Sequence, residues 1–271
     1  MGYSHDYAVS LALTLVISFL MTEIGSRYQL YRVQTRMLPS VWLFAAACLP
    51  AFHPFHYSLL GTFFLAASYF MLFRSYQVVQ PVFIAFYTFL MLSLGSLFVP
   101  HMLLLAPFYV WYQIAFMRSI SLRSMFAAIM GLILPFWFWL GWILVREDST
   151  ALIRWWTRLV NINMGGVDAF LHPAPPMFAF YLLVVLTVWM SVNYVRHSFD
   201  DKIQIRMYFY VFILQSLLLM AYGIVVDAST ALPMLLLSIS PLVAHYFLLR
   251  TTWTSLVIFI LTLLSFVAVN L

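Results

Sequence analysis

"REDSTALIRWWTRLVNINMGGVDAFLHPAPP" runs from Arg146 to Pro176, and its reading decides the fold. Six charged residues and a Trp pair gather there, in a chain that is only 8% charged. Apolar runs flank the stretch on both sides. A soluble domain is about half apolar and about a quarter charged. This chain is 65% hydrophobic and 19% aromatic, so bilayer rather than water is its main solvent. A crossing takes about 20 residues, which leaves no room for a soluble domain. The expected fold class is all-α: a polytopic transmembrane helical bundle, one integral-membrane domain over 1–271.

Apolar length and polar breaks predict about ten spans, near 7–24, 38–53, 57–73, 79–98, 101–117, 124–145, 177–195, 207–226, 231–249 and 253–271. "HPFH" at 53–56 reads as a tight hairpin tip. Arg27, Arg32, Arg36, Arg74, Arg118, Arg123, Arg196, Lys202, Arg206 and Arg250 fall in alternate connections, ten of the thirteen basic residues. By the positive-inside rule that side is cytoplasmic, and both termini are expected on the outer side.

The other three, Arg146, Arg154 and Arg158, lie in the opening stretch. Glu147 and Asp148 offset Arg146, and "DST" supplies N-cap chemistry. A helix near 150–162 then places Leu152, Trp155, Leu159 and Ile162 on one side and Arg154, Thr157, Arg158 and Asn161 on the other. Such a division suits an amphipathic helix lying in the outer interface, apolar side in acyl chains and guanidinium groups at phosphate depth. Trp155 and Trp156 fit that depth as apolar bodies with an N–H to place in the wet layer. "MGG" ends the helix and "HPAPP" forms a stiff re-entry.

Arg154 and Arg158 are spaced i, i+4. Guanidinium makes bidentate phosphate contacts, so the pair either anchors the helix to anionic headgroups or holds one specific phosphate- or pyrophosphate-linked lipid. Trp155 and Trp156 complete these headgroup candidates. Membrane lipids are thus the expected partners, with a membrane-protein partner as a further option. Nucleic acid is not expected, because the Arg residues do not form a basic stripe on a soluble surface.

Five of the seven histidines fall on the outer side: His5, His53, His56, His101 and His172. His53, His56, His101 and His172 form the outer set that imidazole chemistry would offer a metal. No HExxH pattern or His-plus-acid set accompanies them, and polar tips at headgroup depth have the same composition. No metal and no cofactor is expected. Cys48 is the single cysteine, inside an apolar run, so there is no disulfide framework and no CxxC. "MGYSHD" has no Lys or Arg, and no small-residue cleavage site follows the first run, so a cleaved signal peptide is not expected.

Inside the membrane, ionisable residues are informative by default. None of the eight acids is placed near the midplane, Glu23 being at a helix end and Asp227 in an outer turn. That weighs against a pump built on buried carboxylates. The deepest polar groups are Gln215 and, nearer the inner side, Gln113, Asn193 and His245, with interhelical hydrogen bonding as their expected role. Pro107, Pro135 and Pro241 are expected to interrupt helices internally, with Ser238 or Ser240 compensating the carbonyl freed by Pro241. The aromatics Phe136–Trp139 form either an apolar ligand wall or lipid-facing bulk. Walker, GxSxG and Rossmann patterns are absent from usable contexts, which excludes nucleotide hydrolysis more firmly than lipid chemistry.

Arg74 and Arg118 are 44 residues apart, as are Arg206 and Arg250. "PFHYSLL" and "VPHMLLL" at two outer tips suggest duplication of a two-helix unit. Two spans with two tight turns give the same spacing unaided.

At "RYQLYRVQTRMLPSVW" (27–42), "DKIQIRMYFY" (201–210) and "SPLVAHYFLLRTTW" (240–253) the chain resembles an uncharacterised family of bacterial polytopic inner-membrane proteins. The resemblance implies a bacterial inner membrane and a periplasmic outer side, and it carries over no catalytic role. Members of that family carry more chain ahead of the Arg-rich loop. Three functional readings follow: a protein handling a lipid or lipid-linked substrate at the outer leaflet, a non-catalytic subunit or scaffold of an envelope complex, and a transporter without buried carboxylate coupling.

Overall fold

The computed structural model describes residues 2–31, 35–49, 52–146, 149–160 and 177–249. Among them are ten α-helices and no strands. In chain order they are α1 Gly2–Arg27, α2 Met37–Cys48, α3 Tyr57–Arg74, α4 Val82–Phe98, α5 Ala106–Ala115, α6 Leu122–Arg146, α7 Ser149–Val160, α8 Phe178–His197, α9 Ile203–Val225 and α10 Ala228–Leu249. Six of them (α1, α3, α6, α8, α9 and α10) are long and apolar enough to cross a membrane. The protein is a multi-pass membrane protein. Helices α2 and α4 are apolar but shorter. The run expected over 253–271 lies outside the described residues, as do Arg32, Arg250 and the "HPAPP" re-entry.

Helix ends follow local chemistry. Helix α2 stops at Cys48, short of the expected 53, because Leu49 precedes Pro50 and takes an extended backbone (φ −94°, ψ 118°). The run expected over 101–117 is not one helix. Pro100–Leu105 forms a 3₁₀ segment, and α5 begins at Ala106. Pro107 therefore sits in the first turn of α5, where its missing N–H costs nothing, instead of interrupting a helix. Pro135 is internal to α6, and both Pro233 and Pro241 are internal to α10.

The chain divides into two compact units. The first comprises Met1–Leu59 with Asn163–Leu271, the second Leu60–Ile162. In the first, α10 is the central helix, packed against α2, α8 and α9, and 89% of its apolar window is buried. Helices α1 and α2 form a pair closed by Trp42, whose indole N–H donates to the Thr14 carbonyl at 3.2 Å. The Ser10 hydroxyl donates to the Phe52 carbonyl beside it. Close approach of α9 to its neighbours depends on Gly223, where a Cβ would meet the Phe180 ring and come within 2.9 Å of the Ala231 Cβ.

In the second unit α4 packs along α6. Gly131 permits the contact: a Cβ there would run into the Phe86 carbonyl oxygen and lie 3.1 Å from the Leu90 nitrogen. Such small residues let spanning helices bring backbone against backbone. The Ser93 hydroxyl then donates to the Leu132 carbonyl at 2.7 Å. Helices α3 and α5 meet through the hydroxyls of Ser68 and Tyr109, 2.7 Å apart, and the stacked rings of Tyr69 and Tyr109.

Candidate functional site

Helix α7 is the most sharply divided helix among the described residues. At 100° per residue its side chains fall into three sectors. Ala151, Trp155 and Leu159 are half-buried against the second unit, where α7 packs on α6 and on the 3₁₀ segment. Leu152, Ile153, Trp156 and Val160 form an exposed apolar strip, with Trp156 59% exposed. Thr150, Arg154, Thr157 and Arg158 form an exposed polar strip.

This division differs from the expected one in a useful way. Trp155 and Leu159 were assigned to acyl chains, but they face protein. The Trp155 indole N–H donates to the Ser96 carbonyl at 3.0 Å, and its ring meets Phe136 and Trp139 edge-on or tilted, with centroids 5.2 and 5.9 Å away. Trp155 is thus an anchor between α7 and helices α4 and α6. Trp156 alone of the pair is open to the surroundings.

The Arg154 guanidinium folds back on its own helix, its Nε donating to the Thr150 carbonyl at 3.3 Å and one terminal nitrogen to the Thr150 hydroxyl at 3.4 Å. Arg158 is exposed one turn further on. At the end of α6, Arg146 places its guanidinium 4.4 Å from the centre of the Trp142 ring. Asn161 and Ile162 lie outside the described residues.

The four intramembrane candidates fall on four different helices. Gln113 belongs to α5 in the second unit; its Nε2 is buried with no hydrogen-bond partner among the described residues. Gln215 is fully buried on α9. Asn193, on α8, donates to the Trp189 carbonyl of its own helix at 2.9 Å. The hydroxyls of Ser238 and Ser240 donate to the carbonyls of Met234 and Leu236 at 3.1 and 2.6 Å.

His245 is different, because it has an acid beside it. Its Nε2 lies 2.9 Å from Oδ2 of Asp201, with the two side chains 9% and 4% exposed. The Tyr194 hydroxyl donates to the same oxygen at 3.3 Å. Around the imidazole stand the rings of Phe209, Tyr194 and Tyr31, with centroids 4.7, 4.9 and 6.5 Å away. Tyr31, from the α1–α2 connection, donates its hydroxyl to the Pro241 carbonyl at 3.1 Å. Burial pushes its phenol well above the ordinary tyrosine range, so it remains a donor.

Sequence reasoning missed Asp201 and Tyr194. Asp201 sits in a polar connection between α8 and α9, where an acid ordinarily meets water. Nothing in "HSFDDKIQ" signals that its partner lies 44 residues further on.

Among the outer histidines, His53 is exposed and bonds the Ala47 carbonyl at 3.2 Å, and exposed His56 bonds the Phe55 carbonyl at 2.8 Å. His101 is half-buried. His172 lies outside the described residues. No group of three His, Cys, Asp or Glu side chains is placed to hold a metal among the described residues.

No protein-family model matches the chain, and no curated protein and no solved structure shows significant similarity to it.

Proposed function

We propose that the chain is a multi-pass protein of the bacterial inner membrane that holds the phosphate of an anionic lipid, or of a lipid-linked molecule, against α7 at the outer leaflet. The observation that carries this reading is the three-way division of α7. One sector is docked on protein through Trp155, one is apolar and open, and one presents Arg154 and Arg158. A helix at a membrane surface beside a protein wall meets three environments: protein, acyl chain and headgroup water. Trp142 and Arg146 at the adjoining end of α6 suit the same depth.

The placement on the outer side rests on charge. Ten of the thirteen basic residues lie in connections on the opposite side of the proposed ten-span topology, whose last span is 253–271. Both termini are then periplasmic. Transport is the second reading, and it gains from the buried carboxylate of Asp201.

The experiment is lipid retention. Full-length protein in nanodiscs of mixed phosphatidylglycerol and phosphatidylcholine is released and its bound lipid measured by native mass spectrometry. Wild type should retain the anionic lipid preferentially. The Arg154→Gln/Arg158→Gln variant should lose that preference while keeping its helical circular dichroism. Equal retention by the two proteins overturns the reading.

A further inference from the structure

We propose that Arg74, Arg118 and Arg123 form a second lipid site, at the Leu122 end of α6, that takes the phosphate of an anionic phospholipid of the inner leaflet. It shares no residue with α7 and does not rest on the reading of that helix.

Two connections build it. Arg74 closes α3, Arg118 lies in the turn between α5 and α6, and Arg123 stands in the first turn of α6. The Gln77 backbone N–H donates to the Met117 carbonyl at 2.8 Å, so the α3–α4 and α5–α6 connections lie against each other. All three arginines are exposed, and none of their guanidinium groups makes an ion pair or hydrogen bond among the described residues. The acids of the 60–162 stretch are Glu147 and Asp148, which follow Arg146. Along α6, Arg146 is about 35 Å from Arg123. Screening at physiological salt acts over about 8 Å, so those acids do not offset the three charges.

Arg118 carries the inference furthest. Its φ is 49°, in the left-handed region that favours glycine. Backbone bonds close the turn around it: the Met117 N–H donates to the Tyr112 carbonyl at 2.9 Å and the Ser119 N–H to the Gln113 carbonyl at 3.1 Å. Glycine would complete this helix end without steric cost. The guanidinium holds nothing within the fold in return, so its use lies outside the chain. Charge that only oriented the helices could sit anywhere in these connections and would not call for arginine at a glycine position.

Neighbouring apolar side chains point to a lipid instead of a free anion. Phe83 at the start of α4, and Leu122 and Phe126 at the start of α6, are 78, 79 and 67% exposed. The two helices set out from the adjoining connections and pack along each other. Guanidinium groups at phosphate depth with apolar rings a turn deeper suit a headgroup and its acyl chains together. A free phosphate would use the arginines alone.

The test uses full-length protein carrying Arg154→Gln/Arg158→Gln, so that α7 contributes nothing. Delipidated in neutral detergent, it is titrated with phosphatidylglycerol or phosphatidylcholine, and bound lipid is counted by native mass spectrometry. Phosphatidylglycerol should bind more tightly, and inorganic phosphate should not displace it. Arg118→Gly should weaken that binding roughly fivefold without lowering the melting temperature. Arg74→Gln and Arg123→Gln should each weaken it similarly, while Arg196→Gln, an exposed arginine of the other unit, should leave it unchanged. No preference between the two lipids, displacement by inorganic phosphate, or equal loss on Arg196→Gln and Arg118→Gly overturns the proposal. Should Arg118→Gly melt lower than its parent, Arg74→Gln and Arg123→Gln decide, and unchanged binding in both overturns it.

Discussion

Trp155 donates its indole N–H to the carbonyl of Ser96 across 3.0 Å, joining a helix of twelve residues to the α4–α6 pair. Isolated helices of that length are marginal in water, so α7 depends on what it docks against. Trp155→Phe keeps a ring against Phe136 and Trp139 but removes the donor and leaves the Ser96 carbonyl short of one partner. It should cost about 1 kcal/mol. Trp155→Ala removes the ring as well and should cost about 3 kcal/mol or more. Denaturation in mixed micelles, followed by the near-ultraviolet tryptophan signal, measures both. Equal stability of Trp155→Ala and Trp156→Ala would contradict the assignment of Trp155 as the anchor.

The α4–α6 contact makes a sharper prediction because its obstacle is backbone. Gly131→Ala drives a methyl into the Phe86 carbonyl, which no side-chain rotation relieves. Separating the helices should lower stability by about 1–3 kcal/mol. Gly141, on the same helix, has nothing within 4 Å of the site of a Cβ, so Gly141→Ala should be neutral or stabilising. Thermal unfolding of the two variants in one detergent compares them directly. Equal melting temperatures would mean that α4 and α6 do not meet at Gly131.

At the start of α10, Asp227 acts as N-cap. Its carboxylate accepts the Ser229 backbone N–H at 2.9 Å and that of Thr230 at 3.3 Å. Asp227→Ala should cost about 1 kcal/mol, and Asp227→Asn should recover most of it. A helix already weakened by two internal prolines should fray first at an uncapped end, which hydrogen exchange of Ser229–Leu232 will register. Unchanged exchange there would show that packing alone fixes this end.

These relationships differ in how far the sequence disclosed them. Helices α6, α8 and α9 were legible because apolar length is read directly from residues, and length is what the bilayer demands. Ends were less legible: the helix expected over 38–53 stops at Cys48, ahead of Pro50, and the 3₁₀ segment before α5 was not foreseen. One Pro at 107 fits either the interior or the first turn of a helix, and only the turn geometry distinguishes them. On α7 the amphipathic pattern separated Arg154 and Arg158 from the apolar residues. It could not separate Trp155, which faces protein, from Trp156, which is exposed, since both are apolar in a periodicity. Asp201 escaped altogether: a long-range pair between a connection and a helix end leaves no local spacing to detect.

The central claim is that Arg154 and Arg158 face the compartment opposite to the basic connections, one of which carries Lys202 and adjoins Gln204. Cysteines introduced one at a time at positions 154 and 204, in a Cys48→Ala background and in intact cells, can be labelled with a membrane-impermeant maleimide. The topology predicts that position 154 reacts from outside, while position 204 reacts only after the inner membrane is permeabilised. Labelling of both positions from the same side would contradict it.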